Sequence, residues 1–231
     1  MDRAPSPGEA AIGLSLFPCY NPAMSADVTL RPARPEDAPQ AAPLIYAAGP
    51  TLFNLMFGPS PPDVLRLFGR LFPVPRHPFS YDRALVAEQD GRIAGIALAA
   101  PIAARRAGGW RLMWLLPRFR GVLPLLRRWP DLRDIGSCMS APPQDVYYLG
   151  ILAVTPEMRR RGVGSRLIEE VHRQAQATGA PGVALHAEAD NLAALRFYAR
   201  HGYIETERHL APPRLARKSI TGLVALRRTL P

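Results

Sequence analysis

Apolar positions change period several times along the chain, and each change predicts an element. Val28-Thr-Leu-Arg31 alternates as a short strand does. Arg34-Pro-Glu-Asp37 then supplies a helix start, with Pro35 at an early helical position and two acids in the first turn. Leu44, Ile45 and Ala48 form a stripe to be buried, ended by Gly49-Pro50. A second helical stretch is expected from Asp63, a good N-cap, through Val64, Leu65, Leu67, Phe68 and Leu71. Ala84–Glu88 and Ile93–Leu98 read as a β-hairpin turning at Asp90-Gly91. Residues 105–145 are less regular. Trp110 to Arg128, rich in Leu, Trp and Arg, predicts one or two short helices interrupted at Pro117 and Pro124.

The second half is cleaner. Tyr147–Val154 is an almost unbroken apolar run, as a strand buried on both faces requires, and Pro156 stops it. From Gly162 to Thr178, Val163, Leu167, Val171 and Ala175 recur at four-residue spacing with Ile168 beside them, so a helix is expected, closed by Gly179. Val183–Ala187 is the next strand. Asp190 is expected to cap a helix over Asn191–Arg200, closed by His201-Gly202. Further strands are expected from Tyr203-Ile204 and over Ile220–Leu226.

Composition narrows the class. The 231 residues are 48% hydrophobic and 21% charged, which excludes wholesale disorder and suits one large domain. Residues 1–26, with six prolines or glycines and no periodicity, read as a flexible N-terminal extension, and Met24 as an alternative start. Two cysteines, Cys19 and Cys138, make no disulfide framework, and no Cys/His spacing suits a metal, so none is expected. The net charge is +10, yet Lys218 is the only lysine. An arginine excess alongside abundant Ala, Pro and Gly fits a GC-rich coding sequence, so the charge alone does not argue for nucleic acid. No segment has the ~20 consecutive apolar residues of a membrane span, no signal peptide is evident, and a cytoplasmic location is the expectation.

The chemistry concentrates after the apolar strand, in Val154-Thr-Pro-Glu-Met-Arg159-Arg160-Arg161-Gly162-Val163-Gly164-Ser165. A strand ends, the chain turns, and two glycines admit a ligand to a helix N-terminus whose first amides have no intrahelical partner. Such a turn is a pyrophosphate cradle made of main-chain N–H groups, flanked here by three arginines. An ATP-type loop would need a lysine that is absent, and a dinucleotide fingerprint would need glycine at Leu167. What remains, Arg-x-x-Gly-x-Gly, resembles the signature of the GNAT superfamily of acyl-CoA-dependent N-acyltransferases. The run Asn191-Leu-Ala-Ala-Leu-Arg-Phe197-Tyr198-Ala-Arg-His-Gly202-Tyr203 is similar to the same family's Asn-x-x-Ala-x-x-Phe/Leu-Tyr-x-x-x-Gly-Phe/Tyr helix. The resemblance covers about 200 residues and is strongest over 147–204.

The resemblance implies an α+β fold of three layers (α/β/α): a mixed, mostly antiparallel sheet flanked by helices, with central strands splayed to bind CoA. The acetyltransferase domain would span 27–231, with a helical insertion at about 105–145. The implied reaction is transfer of an acetyl group from acetyl-CoA to a primary amine by direct attack in a ternary complex. Main-chain groups of Leu152, Ala153 and Val154 would meet the pantetheine arm, with an amide near Leu152 polarising the thioester carbonyl. Amides from Arg160 to Ser165, with Arg159 before them, would hold the pyrophosphate. Asn191 and Phe197 would touch the cofactor, and Tyr198 would protonate the departing thiolate. Many relatives place a carboxylate on the strand before the loop as general base; Tyr147–Val154 has none. Glu88, Glu188, Asp145, His186 or water held by Tyr147 or Tyr148 are the alternatives, and none is chosen. His77, His172, His201 and His209 read as structural or surface residues.

Residues 105–130 are expected to cover the acceptor end of the cleft. The competing placements are a layer on the sheet with no acceptor role, or adsorption to an anionic membrane surface. Expected partners are acetyl-CoA and an amine acceptor, small molecule or protein, with no nucleic acid and with a homodimer as an allowed assembly. The rival function is a non-catalytic acyl-CoA sensor or a basic nucleic-acid-binding module. A sensor would need neither Tyr198 nor an open acceptor cleft.

Overall fold

The computed structural model describes residues 28–231. The N-terminal extension expected over 1–26, with Met24 and Cys19, lies outside the described residues. β1 (Thr29–Pro32) pairs antiparallel with β2 (Ala84–Gln89), which turns into β3 (Arg92–Pro101). Asp90 and Gly91 both take left-handed backbone, φ 50° and 73°, which matches the twist of a two-residue hairpin. β4 (Tyr147–Val154) lies antiparallel beside β3, and β5 (Gly182–Glu188) runs parallel to β4. β7 (Gly222–Thr229) inserts between β5 and the edge strand β6 (Ile204–Leu210), giving the order β1-β2-β3-β4-β5-β7-β6. The β4–β5 pair is the sheet's one parallel pair, as a mixed, mostly antiparallel sheet requires.

Period-two alternation sorts the strands onto two cores. Val86, Ile96, Leu98 and Ile151 face α1 (Ala38–Ala47), α2 (Pro50–Phe57) and α3 (Pro61–Leu71), where Phe53, Phe57, Phe68 and Phe79 meet edge to face. Leu85, Ala87, Ala97 and Leu149 face α6 (Val163–Ala177), whose Val163, Leu167, Ile168, Val171 and Ala175 are all buried. Gly179 ends α6 at φ 72°. The three layers are thus helix, sheet, helix.

Several boundaries differ from expectation. Gly49-Pro50 does not only end α1; Pro50 is the first residue of α2, a helix not foreseen, because a first-turn position needs no N–H. Asp63 sits inside the first turn of α3, with Ser60 at the N-cap. Asp190 precedes Asn191, and it is Asn191 Oδ1 that accepts from Ala194 N at 3.1 Å to cap α7 (Leu192–Arg200). Pro213–Ala216 adds a one-turn α8.

The insertion is two full helices, α4 (Ile102–Arg120) and α5 (Val122–Ser137), broken neither at Pro117 nor at Pro124 but at Gly121, φ 76°. Pro124 falls in a first turn, where no donor is lost. Pro117 is retained in α4 because Leu112, Leu115, Leu116 and Phe119 pack on the first core. Every exposed position from Ala103 to Arg133 is arginine, glycine, proline or apolar, Trp110, Trp114 and Trp129 included. No helix among the described residues is long and apolar enough to cross a membrane.

Candidate active site

β4 pairs with β3 along its length but with β5 only through Tyr147–Val183 and Tyr148–Ala184. Beyond Tyr148 the two strands diverge. Opposite Leu98 stands Ile151 and opposite Ala99 stands Leu149, so Gly150 is the extra residue of a β-bulge. Past the bulge the ladder fixes which groups face the gap. Thr155 N donates to Ala94 O at 2.9 Å, and antiparallel bonding alternates residue by residue. Ala153 and Ile151 therefore bond to β3, while Leu152 and Val154 turn their main-chain N–H and C=O toward the open side. Of the three strand residues expected to meet a ligand, Ala153 has its main chain committed to the sheet.

The loop after β4 is a single 3-10 turn (Pro156–Met158) followed by Arg159–Gly162. Arg160 and Gly162 take left-handed backbone, φ 61° and 80°. Gly162 stands at the N-cap of α6 with no side chain to cap it, so the first amides, Val163, Gly164 and Ser165, face outward without an internal acceptor. Arg166 N closes the first helical bond on Gly162 O. A Cβ on Gly164 would lie 3.4 Å from the Phe197 ring and 3.6 Å from Val154, so this glycine sets how closely α6, α7 and β4 converge. Arg159 Nε reaches back to Val154 O at 3.4 Å. The Ser165 hydroxyl bonds His201 Nε2 at 3.0 Å, while His201 Nδ1 bonds Phe197 O at 2.9 Å. Since a carbonyl only accepts, Nδ1 carries the proton and Nε2 accepts from Ser165. His201 is thus a latch joining the start of α6 to the end of α7, a structural role as expected.

A cleft of about 210 Å³ opens at the splay. Gly150, Ile151 and Leu152 of β4, His186 and Glu188 of β5, and Asn191, Ala194 and Tyr198 of α7 form one side. Leu52, Phe53, Met56, Phe79 and Met139 form an apolar side facing them. The Tyr198 ring packs edge to face on Phe197 and Tyr203, and burial holds its phenol well above the ordinary tyrosine range. The structure thus brings Leu152, Asn191 and Tyr198 to one cavity. Val154, Gly164 and Phe197 pack together next to the Arg159–Ser165 turn, beyond the lining of that cleft.

The proton-acceptor alternatives separate. Glu88 is paired with Arg31, which also holds Asp37. Asp145 is exposed and lines no part of the cleft. Tyr147 points to the other face, toward Gln174. His186 lies in the cleft between the Tyr148 hydroxyl at 2.9 Å and Ser140 Oγ at 3.4 Å. Burial first, then the Arg105 charge, lowers its pKa, so the ring is neutral near pH 7. Glu188 lies two residues on, on the same side of β5. Its Oε1 is shut from solvent with no hydrogen-bond partner, and burial, then Asp190, raises its pKa.

Residues 128–203, which hold the turn, the splayed strand and the tyrosine helix, match the model of the acetyltransferase (GNAT) family. That match covers a third of the chain, the part that holds the candidate site. The fold agrees with that of solved acetyltransferases. An acetyltransferase crystal structure superposes with a TM-score of 0.64 at 19% identity, over 88% of this chain and 100% of that one. An N-acetyltransferase from Staphylococcus aureus Mu50 gives 0.58 at 18% identity, over 86% and 99%. A GNAT-family acetyltransferase from Streptococcus pneumoniae gives 0.51 at 17%, over 89% and 100%.

Two parts of this candidate site were not read from the sequence. The wall of Leu52, Phe53 and Met56 belongs to the unforeseen α2; their spacing after Pro50 was the available signal. Arg105, in the first turn of α4, enters the cleft because Gly150 leaves room for it. The insertion lines the cleft through Arg105, Ile135 and the following Met139, at its base, and not through Trp110, Trp114 or Trp129.

Proposed function

We propose that this GNAT domain moves the acetyl group of acetyl-CoA to a primary amine by direct attack, with both substrates bound together. One observation carries the reading: the open main-chain edge of β4 runs from an apolar-walled cleft that holds Leu152 and Tyr198 to the amide-rich turn before α6. Acetyl-CoA fits that groove with its pyrophosphate on the amides of Arg160–Ser165 and its pantetheine along Leu152 and Val154. The Leu152 N–H then polarises the thioester carbonyl.

The amine must shed its ammonium proton before attack. We assign that proton to Glu188, the cleft carboxylate with a buried oxygen lacking a partner. The nitrogen lone pair then forms the new N–C bond. The C–S bond breaks with its electrons going to sulfur, and the thiolate takes the Tyr198 proton. The second nitrogen proton leaves to solvent, from which Tyr198 is reprotonated. Direct attack is favoured over an acetyl-enzyme because Cys138, the cysteine among the described residues, is buried, bonds toward Leu210 O, and has its thiol pKa raised by burial.

The test is CoA release over a panel of primary amines, with initial rates measured at varied concentrations of both substrates. Intersecting double-reciprocal lines and no mass gain of 42 Da (about one acetyl group) on the protein alone are expected. Parallel lines together with an acetylated protein would refute direct attack.

A further inference from the structure

The cleft holds two formally charged side chains, Arg105 and Glu188, and they form no ion pair with each other. Arg105 is the unusual one. Its guanidinium lies 4.3 Å from the centroid of the Tyr148 ring. Its Nη1 sits so close over the bulge that a Cβ at Gly150 would meet it at 2.8 Å. Among the described residues it has no carboxylate partner, whereas Arg31 holds Asp37 and Glu88, Arg214 reaches Asp131, and Arg120 and Arg128 bond main-chain carbonyls at the end of α2. A guanidinium stacked by its face keeps its edge N–H groups free, and that edge matches a carboxylate with two parallel bonds.

The anion it awaits is not the pyrophosphate. That site follows the C-terminal end of β4, while Arg105 stands over Tyr148 and Gly150, beyond the Leu152 amide where the thioester would end. The cleft side it occupies is the acceptor side, walled by Phe79, Phe53 and Met56. Apolar walls strengthen a charge pair formed there.

Resting on the acetyl-transfer reading, we propose that the acceptor is a primary amine that also bears a carboxylate, and that Arg105 is the residue that binds this carboxylate. The apolar walls would take the hydrocarbon between the two groups, with the amine on the Glu188 side.

The probe is 3-phenylpropanoate, which has the anion and an apolar body but no amine. Its binding to the full chain saturated with CoA is compared with that of 3-phenylpropanamide by calorimetry. The carboxylate is expected to bind at least about tenfold tighter, in line with a charge-assisted bidentate pair. Arg105→Met should abolish the difference while leaving CoA affinity unchanged, and Arg105→Lys, a smaller change that keeps the charge, should retain part of it. In turnover, 6-aminohexanoate should exceed hexylamine in kcat/KM, and Arg105→Met should reverse the order. Equal binding of carboxylate and amide, binding of neither, or a preference that survives Arg105→Met overturns the proposal. Loss of CoA binding, or failure to release CoA with any amine while the phenylpropanoate preference stands, would instead overturn the acetyl-transfer reading. The two failures are therefore distinct.

Discussion

Burial, with Tyr148 nearby, holds the Tyr198 phenol above its ordinary range, so the hydroxyl keeps its proton across the pH range of interest. That suits a group that donates as the thiolate leaves and contributes little to cofactor affinity. Tyr198→Phe should therefore lower kcat by about 10²- to 10⁴-fold. The dissociation constant for acetyl-CoA, read by calorimetry, should change by less than about threefold. An equal loss in both would make Tyr198 a binding residue. His172 gives a second residue-level expectation. Arg228 Nη1 donates to its Nδ1 at 3.0 Å, so the proton lies on Nε2, toward the Tyr203 hydroxyl at 2.9 Å. Burial and the Arg228 charge lower its pKa from 6.5 to about 4. Between those values the unfolded chain holds a proton that the folded chain refuses, so stability is full above pH 6.5 and falls as the pH drops toward 4. His77 and His186, also lowered by burial, steepen the same slope. Melting temperatures over this window should decline, and more gently for His172→Gln.

At the scale of elements, the turn before α6 and the splay of β4 are the parts to probe. Gly164 touches Phe197 and Val154 at ordinary contact distances, so Ala fits but a larger side chain must push α6 away from α7. Gly164→Leu should cost about 1–3 kcal/mol of stability and abolish thermal stabilisation by acetyl-CoA; Gly164→Ala should retain both. Hydrogen exchange should find the Leu152 and Val154 amides faster than those of Ile151 and Ala153, and acetyl-CoA should slow the first pair selectively. These elements were legible in the sequence because each carries a period and a stop: Tyr147–Val154 before Pro156, Val163–Ala175 before Gly179, Asn191–Arg200 before Gly202. The stretch before β4 was harder. Pro50 signals both the end of one helix and the start of the next, and Pro117 reads as a breaker until Phe119 and Leu116 are seen packed on a core built from distant residues. Arg105 could not be placed at all, since its position depends on a bulge in a strand more than forty residues away.

For the whole molecule, the three tryptophans all lie exposed on α4 and α5, away from the cleft, with Trp114 at 80% exposure. They report on the outer surface of the insertion. Intrinsic emission should be quenched readily by acrylamide and should not shift when acetyl-CoA binds; a shift with loss of quenching would mean that the insertion closes over the ligand. The sheet itself has a weak seam. β1–β4 and β5–β7 are clasped at one end by two residue pairs, Tyr147–Val183 and Tyr148–Ala184, and bridged beneath by α6. A bound pantetheine would act as the missing strand, mortar between two masonry leaves. Cutting the chain at the exposed Thr178-Gly179 turn should then yield two fragments that reassemble far better with acetyl-CoA than without, so that the cofactor becomes the switch of a split protein.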